Sequence, residues 1–309
     1  MPEPAPRELL ARFTALPAAG PLLRRLRDDD AVYVVGGAVR DLLLGLAPLD
    51  LDLVIDGDVE AIASRLGTST RSHDRFGTRT VVVDGVRYDL ARARRERYAR
   101  PGALPTVAPA AIDDDLRRRD FTANTLALAL GGDRRGELLA APGGVEDLRE
   151  RVLRVLHDDS FVDDPTRLLR LARYAHRLGF AVEERTRMLA AAAISTGALA
   201  TVTRTRLGTE LGLLAAEPDP VGAFRALAEL GVDGAIEPGF GLRSGAQADL
   251  ARHALALLPA DGDPGAVVLA VATDGVAAQR RAPFLDRLGL RGARRDRILA
   301  AANRASSVA

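Results

Sequence analysis

The stretch VGGAVRDLLLGLAPLDLDLVIDG, residues 35–57, decides the fold. It starts at the end of AVYVV (31–35), an apolar β-branched run that predicts a strand. Gly36-Gly37 breaks that run, AVRDLLL (38–44) predicts a short helix ended by Gly45, and LDLDLVI (49–55) predicts a second strand. Side chains alternate along a strand, so Asp50 and Asp52 are expected on one face, with Leu51, Leu53 and Ile55 turned to the core. Neighbouring carboxylates repel, and burial adds a desolvation penalty on the order of several kcal/mol per ion. A divalent cation removes both problems, and carboxylate oxygens suit Mg²⁺, which takes phosphate oxygens and water for the rest of its shell. An acidic, solvated edge strand is the alternative reading. Glycine between strand and helix lets backbone N–H groups approach a phosphate. Arg40 is placed either to reach such a phosphate or to pair with a neighbouring Asp, while Asp56 and Asp58 read as turn residues.

Outward from this stretch, residues 7–27 predict an amphipathic helix broken by Pro17 and Gly20, and VEAIASRL (59–66) a helix stopped by Gly67. TVVVDGVRYDLA (80–91) predicts a hairpin turned at Asp84-Gly85. RRERYARPGALPTVAP reads as a basic loop, and FTANTLALAL (121–130) as a buried helix. From about residue 145 onward the periodicity is helical, most clearly in PTRLLRLARYAHRL (165–178), with Pro165 at its start and Gly179 past its end. Further helices are expected at 183–193, 204–215, 220–230, 247–258, 265–273 and 292–303. The fold class is α+β: a mixed sheet with helices, then an all-α remainder.

The composition excludes several chemistries. All 43 basic residues are Arg, against 42 acidic ones, for a net charge of +1. Without Lys there is no Walker-A or Schiff-base chemistry, and phosphate would be gripped by guanidinium forks. Nucleic-acid contact must come from local patches. Cysteine is absent, which excludes disulfides, Cys-type zinc sites and thiol catalysis and fits a reducing cytoplasm. The N-terminal MPEPAPRELLARF lacks a signal-peptide layout, and no apolar run is long enough to predict a membrane span. His73, His157, His176 and His253 do not cluster, and His157-Asp158 lacks the partners of an HD-type metal site.

GGAVRDLLLG followed by DLDLV resembles the class II tRNA nucleotidyltransferase and bacterial poly(A) polymerase family, built on a polymerase-β-like head. RRRDFTANTLAL (117–128), YDLARARRERY (88–98) and DDPTRLLRLARYAHRLGF (163–180) resemble further blocks of that family, so the likeness spans roughly residues 31–180 in the family's order. It implies a catalytic head over 1–140, a base-recognising neck over 141–200, and a tRNA-binding body and short tail over 201–309. Asp50 and Asp52 would bind two catalytic Mg²⁺ ions, with Asp89 as a further carboxylate at a position that varies in the family. Gly36, Gly37 and Arg40 would contact the nucleotide, and Arg119 would hold it with support from Asp120 and Asn124. Asp164, Arg167, Arg170 and Arg173 would line the base and phosphate pocket. Two departures stand out: Ala140 replaces the Asp usual ahead of Gly143-Gly144, and Arg92 replaces a small hydroxyl residue.

The implied reaction is attack of an RNA 3′-hydroxyl on the α-phosphorus of CTP or ATP, with pyrophosphate leaving. Base choice follows from hydrogen bonding. Cytosine and adenine each present an amino donor beside a ring-nitrogen acceptor, whereas uracil and guanine present the reverse order. Asp164 accepts only and Arg167 donates only, and at i and i+3 they share a helix side. Such a pair admits C and A and rejects U and G. Asp164 before Pro165 also reads as a helix N-cap, and Arg170 and Arg173 as surface charges. The arginines of residues 92–100 and the stretch RGARRDRILAAANR are expected either to meet RNA phosphate or to be ordinary surface. Template-independent addition of CC, A or CCA to tRNA is the leading expectation. A poly(A) polymerase acting on other RNA and a non-catalytic RNA-binding protein are its rivals, and oligomeric state is open.

Overall fold

The computed structural model describes residues 6–48, 50–73 and 77–305. Contacts divide them into two units: the first runs through Arg97 and from Pro105 to Leu156, and the second comprises Tyr98–Leu104 and the chain from His157 onward.

The first unit is a sheet with helices. Its helices are α1 (Pro6–Thr14), α2 (Ala19–Leu23), α3 (Gly37–Leu43), α4 (Val59–Leu66), α5 (Ile112–Arg117) and α6 (Gly144–Glu150). Its strands are β1 (Val32–Val35), β2 (Asp52–Ile55), β3 (Thr68–His73), β4 (Thr78–Val83), β5 (Val86–Arg92), β6 (Arg94–Arg97), β7 (Thr106–Pro109), β8 (Leu126–Ala129) and β9 (Leu138–Ala140). The main sheet has seven strands in the order β3-β4-β5-β2-β1-β8-β9. β2 and β5 run parallel, and the other neighbours are antiparallel. All four residues of β1 are buried, as are Leu53, Val54 and Ile55 of β2, because the middle strands are covered on both faces. Asp58 caps α4, accepting from the N–H groups of Glu60 (2.9 Å) and Ala61 (3.1 Å). The β4–β5 turn takes φ 50° at Asp84 and 81° at Gly85, the positive pair a two-residue hairpin needs.

Three local expectations change. FTANTLALAL is a 3₁₀ turn (Thr122–Asn124) followed by strand β8, not a helix. A short run buried on both faces carries no periodicity that tells strand from helix, and its pairing with β1 settles the matter. The expected basic loop is a two-stranded ribbon, β6 with β7. Strand β2 begins at Asp52, so Asp50 lies just ahead of the ladder, while Leu49 lies outside the described residues. The alternation still holds, with Asp50 and Asp52 exposed and Leu51 and Leu53 buried.

The second unit is helical: α7 (Ser160–Asp163), α8 (Arg167–Leu178), α9 (Glu184–Ser195), α10 (Arg204–Ala215), α11 (Pro220–Glu229), α12 (Val232–Ile236), α13 (Gly245–Ala256), α14 (Pro264–Asp274), α15 (Ala278–Arg287) and α16 (Gly292–Ala305). Gly179, at φ 63°, ends α8. Phe240 packs edge-on between Phe224 (6.1 Å) and Phe284 (5.1 Å). Helix α15 escapes the sequence reading because Pro283 sits inside it.

The first unit reaches past residue 140 to Leu156. Thr122 ties that segment down, its N–H bonding Arg154 O at 2.9 Å and its hydroxyl Asp147 Oδ2 at 2.6 Å. Among the described residues no helix is long and apolar enough to cross a membrane.

Candidate active site

The parallel pairing of β2 with β5 sets Asp52 directly opposite Asp89. Thr80 of β4 is Asp89's partner on its other side. The Thr80 hydroxyl donates to Asp89 Oδ1 at 2.6 Å and Arg87 Nη2 donates to Oδ2 at 2.7 Å. These four side chains, with Arg118 and Arg119, line a cavity of about 400 Å³. Asp52 is open to solvent yet sits on the floor of this concavity. Its carboxyl is held above the usual carboxylate range, chiefly by lost hydration. Arg119 opposes that shift, and the like charges of Asp89 and Asp50 add to it. Asp52 and Asp89 give this floor hard oxygen donors of the kind that suit a divalent cation, and the arginines of its wall suit the anion such a cation would carry. Among the described residues no three carboxylates or imidazoles close on one point, so a cation here would draw the rest of its shell from water or phosphate.

Gly36 takes φ 64°, and a Cβ there would lie 2.7 Å from Arg119 Nη1. The glycine therefore makes room for a guanidinium. Its own N–H is taken by Leu126 O at 2.8 Å and is not turned to a ligand. Gly37 is the first residue of α3. Arg119 Nη2 donates to Asp115 Oδ2 at 3.1 Å, while its Nε is buried without a hydrogen-bond partner. An orphaned donor on a charged group is costly unless an acceptor arrives, and the cavity it lines is where one would enter.

Arg40 does not face the cavity as a free cation. It is 3% exposed and donates to Asp41 Oδ1 (2.9 and 2.7 Å) and to Asn124 Oδ1 (2.7 Å). Asn124 in turn donates to Asp120 Oδ1 at 3.0 Å. The ion-pair reading of Arg40 is thus the observed one, and Arg40, Asn124 and Asp120 form a buried polar chain from α3 to the segment that carries Arg119.

In the second unit, Asp164 lies just ahead of α8. Its Oδ1 accepts from the Thr166 hydroxyl (2.6 Å), the Thr166 N–H (3.1 Å) and Arg206 Nη2 (2.7 Å). Arg167, 5% exposed, donates to Ser160 Oγ at 2.6 Å. Arg170 and Arg173 are not simple surface charges. Arg173 is 8% exposed and pairs with Glu217 at 3.4 Å, and both arginines lie 3.9 Å from Glu210. Arg173 also sits over the Tyr174 ring, 4.7 Å from its centre.

The sequence reading missed Asp115, Arg206, Glu210 and Glu217. Asp115 is fully buried, accepts from Arg118 (2.9 and 2.7 Å) and Arg119, and stands four residues before Arg119, a spacing that points to the pair. The other three are distant in sequence from their partners and carry no local signal. The basic C-terminal stretch is largely neutralised: Arg294 pairs with Asp263 at 2.8 Å and Arg295 with Asp286 at 2.9 Å.

Residues 32–154 match the family described as the poly A polymerase head domain. Over 212 residues, 67% of this chain, the sequence is 44% identical to an A-adding tRNA nucleotidyltransferase of Geobacter sulfurreducens, covering 24% of that protein. Over 226 residues, 72% of the chain, it is 46% identical to a CC-adding tRNA nucleotidyltransferase of Deinococcus radiodurans, covering 59% of it. The chain thus spans less than two thirds of either relative. A solved apo form of a CCA-adding enzyme superposes with a TM-score of 0.79 at 32% identity, across 98% of this chain and 73% of that one.

Proposed function

This chain belongs to the tRNA nucleotidyltransferase family that carries a poly A polymerase head domain, and from that premise we propose that it adds C, A or both to tRNA 3′ ends without a template. CTP and ATP are the donors and pyrophosphate leaves. The observation that carries this reading is the Asp52–Asp89 floor beside Arg119, whose buried Nε lacks an acceptor. Relatives named as A-adding and CC-adding are about equally similar to this chain.

In this reading the RNA 3′ oxygen bonds to the α-phosphorus as the bond from that phosphorus to the bridging oxygen breaks. Arg119 binds the triphosphate, and Gly36 gives it the space to do so. Asp115 fixes the guanidinium from behind, and the Arg40–Asn124–Asp120 chain fixes the segment it stands on. Asp50 and Asp52, with Asp89, are the oxygen donors suited to hold two Mg²⁺. Bound there, the ions would lower the pKa of the 3′-hydroxyl and neutralise the leaving group. Asp164 and Arg167 of the second unit read the base by the acceptor–donor rule, with Arg170 and Arg173 beside them.

The test supplies each α-labelled nucleotide singly to tRNA lacking its terminal residues. Incorporation of one to three residues from CTP or ATP, and none from UTP or GTP, is expected. Long A tails on unrelated RNA would assign a poly(A) polymerase instead. No incorporation at all would leave only RNA binding.

A further inference from the structure

We infer that Arg206 is a specificity-determining positioning residue: it locks one oxygen of Asp164 so that the other faces the base of the incoming nucleotide. This rests on the reading of Asp164 as the carboxylate that meets the base. Arg206 stands in the first turn of α10, far from α8 in sequence, and belongs to none of the motifs that carry the family resemblance. Its guanidinium is held at both ends, by Nη2 to Asp164 Oδ1 at 2.7 Å and by Nη1 to the Gly102 carbonyl at 3.2 Å. Two anchors on a planar fork leave the group little freedom to turn.

The carboxylate carries the decisive asymmetry. All three donors that reach Asp164 go to Oδ1: the Thr166 hydroxyl, the Thr166 N–H and Arg206. Among the described residues none reaches Oδ2. The Thr166 contacts are local to the turn and move with it. Arg206 is the contact that arrives from another helix and fixes the carboxylate against the rest of the unit. With its orientation fixed, Oδ2 presents lone pairs in one direction, toward an amino donor and away from a carbonyl. A site built to hydrogen-bond one partner rejects the analogue lacking it because its polar groups stay unpaired. That rejection fails if the carboxylate can swing aside, since sites lose selectivity when their supporting contacts are loose. Removal of Arg206 should therefore harm discrimination more than it harms affinity for the correct nucleotide.

The experiment measures binding of CTP, ATP, UTP and GTP to the full chain by calorimetry, for wild type, Arg206→Ala, Arg206→Lys, Asp164→Asn and the double variant Asp164→Asn/Arg206→Ala. Arg206→Ala should lower the preference for CTP or ATP over UTP at least tenfold. Arg206→Lys should fall between, since an ammonium keeps the charge and loses the fork. The double variant should discriminate no worse than Asp164→Asn alone, because Arg206 acts through that carboxylate. A preference unchanged in Arg206→Ala, or lost additively in the double variant, overturns the inference. If Arg206→Ala does not fold, Arg206→Lys decides by the same ratio. A wild type that binds all four nucleotides alike refutes the base-reading role of Asp164 itself, a different result from wild-type preference that survives loss of Arg206.

Discussion

Under the proposed function, Asp52 and Gly36 are single residues placed for chemistry at the expense of stability. The Asp52 carboxyl is held above its ordinary range by lost hydration and by Asp89 and Asp50. An acid raised in this way favours the folded state while protonated. That advantage is lost as pH climbs from the ordinary carboxylate value through the raised one, so at neutral pH its charge opposes folding. In magnesium-free buffer Asp52→Asn is therefore expected to unfold at the same temperature as wild type or higher, while nucleotide incorporation falls by about 10²-fold or more. Thermal unfolding and incorporation assays read the two separately, and a strongly destabilised Asp52→Asn would contradict this account. Gly36 is constrained twice, by φ 64° and by Arg119 Nη1. Gly36→Ala should cost about 1–3 kcal/mol in denaturant unfolding and should also raise the KM for nucleotide, because the new Cβ pushes Arg119 aside. A Gly36→Ala variant with unchanged KM would show that Arg119 does not bind the triphosphate from this position.

At the scale of elements, what was legible in the sequence follows what sequence physics encodes. Helix α4 was readable end to end because both its stops are local: Asp58 satisfies two orphan N–H groups and Gly67 ends the helix. Asp58→Ala should cost about 1 kcal/mol, measured by urea unfolding, and Asp58→Ser should recover most of it. Equal stability of wild type and Asp58→Ala would mean that packing of Ile62 and Leu66 alone fixes the helix. The β4–β5 hairpin was legible for the same reason, since Asp84-Gly85 dictates its own turn. Strand β8 was not, because Leu126, Ala127, Leu128 and Ala129 are all buried and leave neither a period of two nor one of 3.6. Nor was the β6–β7 ribbon, whose arginines and prolines read locally as loop and whose pairing spans a long connection. The same divide separates the site residues. Asp50, Asp52 and the 117–124 block sit in compact motifs. Asp89 becomes Asp52's neighbour only through a parallel pairing, and Arg206 meets Asp164 only through the packing of α10.

For the whole molecule, charge is the property that most constrains how RNA would be held under the proposed function. The chain is nearly neutral, with 43 Arg against 42 acidic residues. Many of those arginines are already matched: Arg294 and Arg295 of α16 to Asp263 and Asp286, Arg170 and Arg173 to Glu210 and Glu217. An arginine paired within the fold releases few counterions on meeting a phosphate, since its charge is not available to displace them. If the substrate is tRNA, as proposed, its binding should then depend only shallowly on salt. Each phosphate neutralised contributes about −0.9 to the slope of log K against log salt. Two to four phosphate contacts predict a slope of roughly −2 to −4 on that scale. Fluorescence anisotropy with labelled tRNA between low and moderate salt measures it, and a slope much steeper than this range would mean that the internal ion pairs open to take phosphate. The basic C-terminal helix gives the sharper form of the test. Because Arg294 holds Asp263, the cap of α14, its loss should act on folding and not on RNA. Arg294→Ala is expected to lower the unfolding temperature while leaving the salt slope unchanged, and a slope shallower by about one unit would instead make Arg294 a phosphate contact.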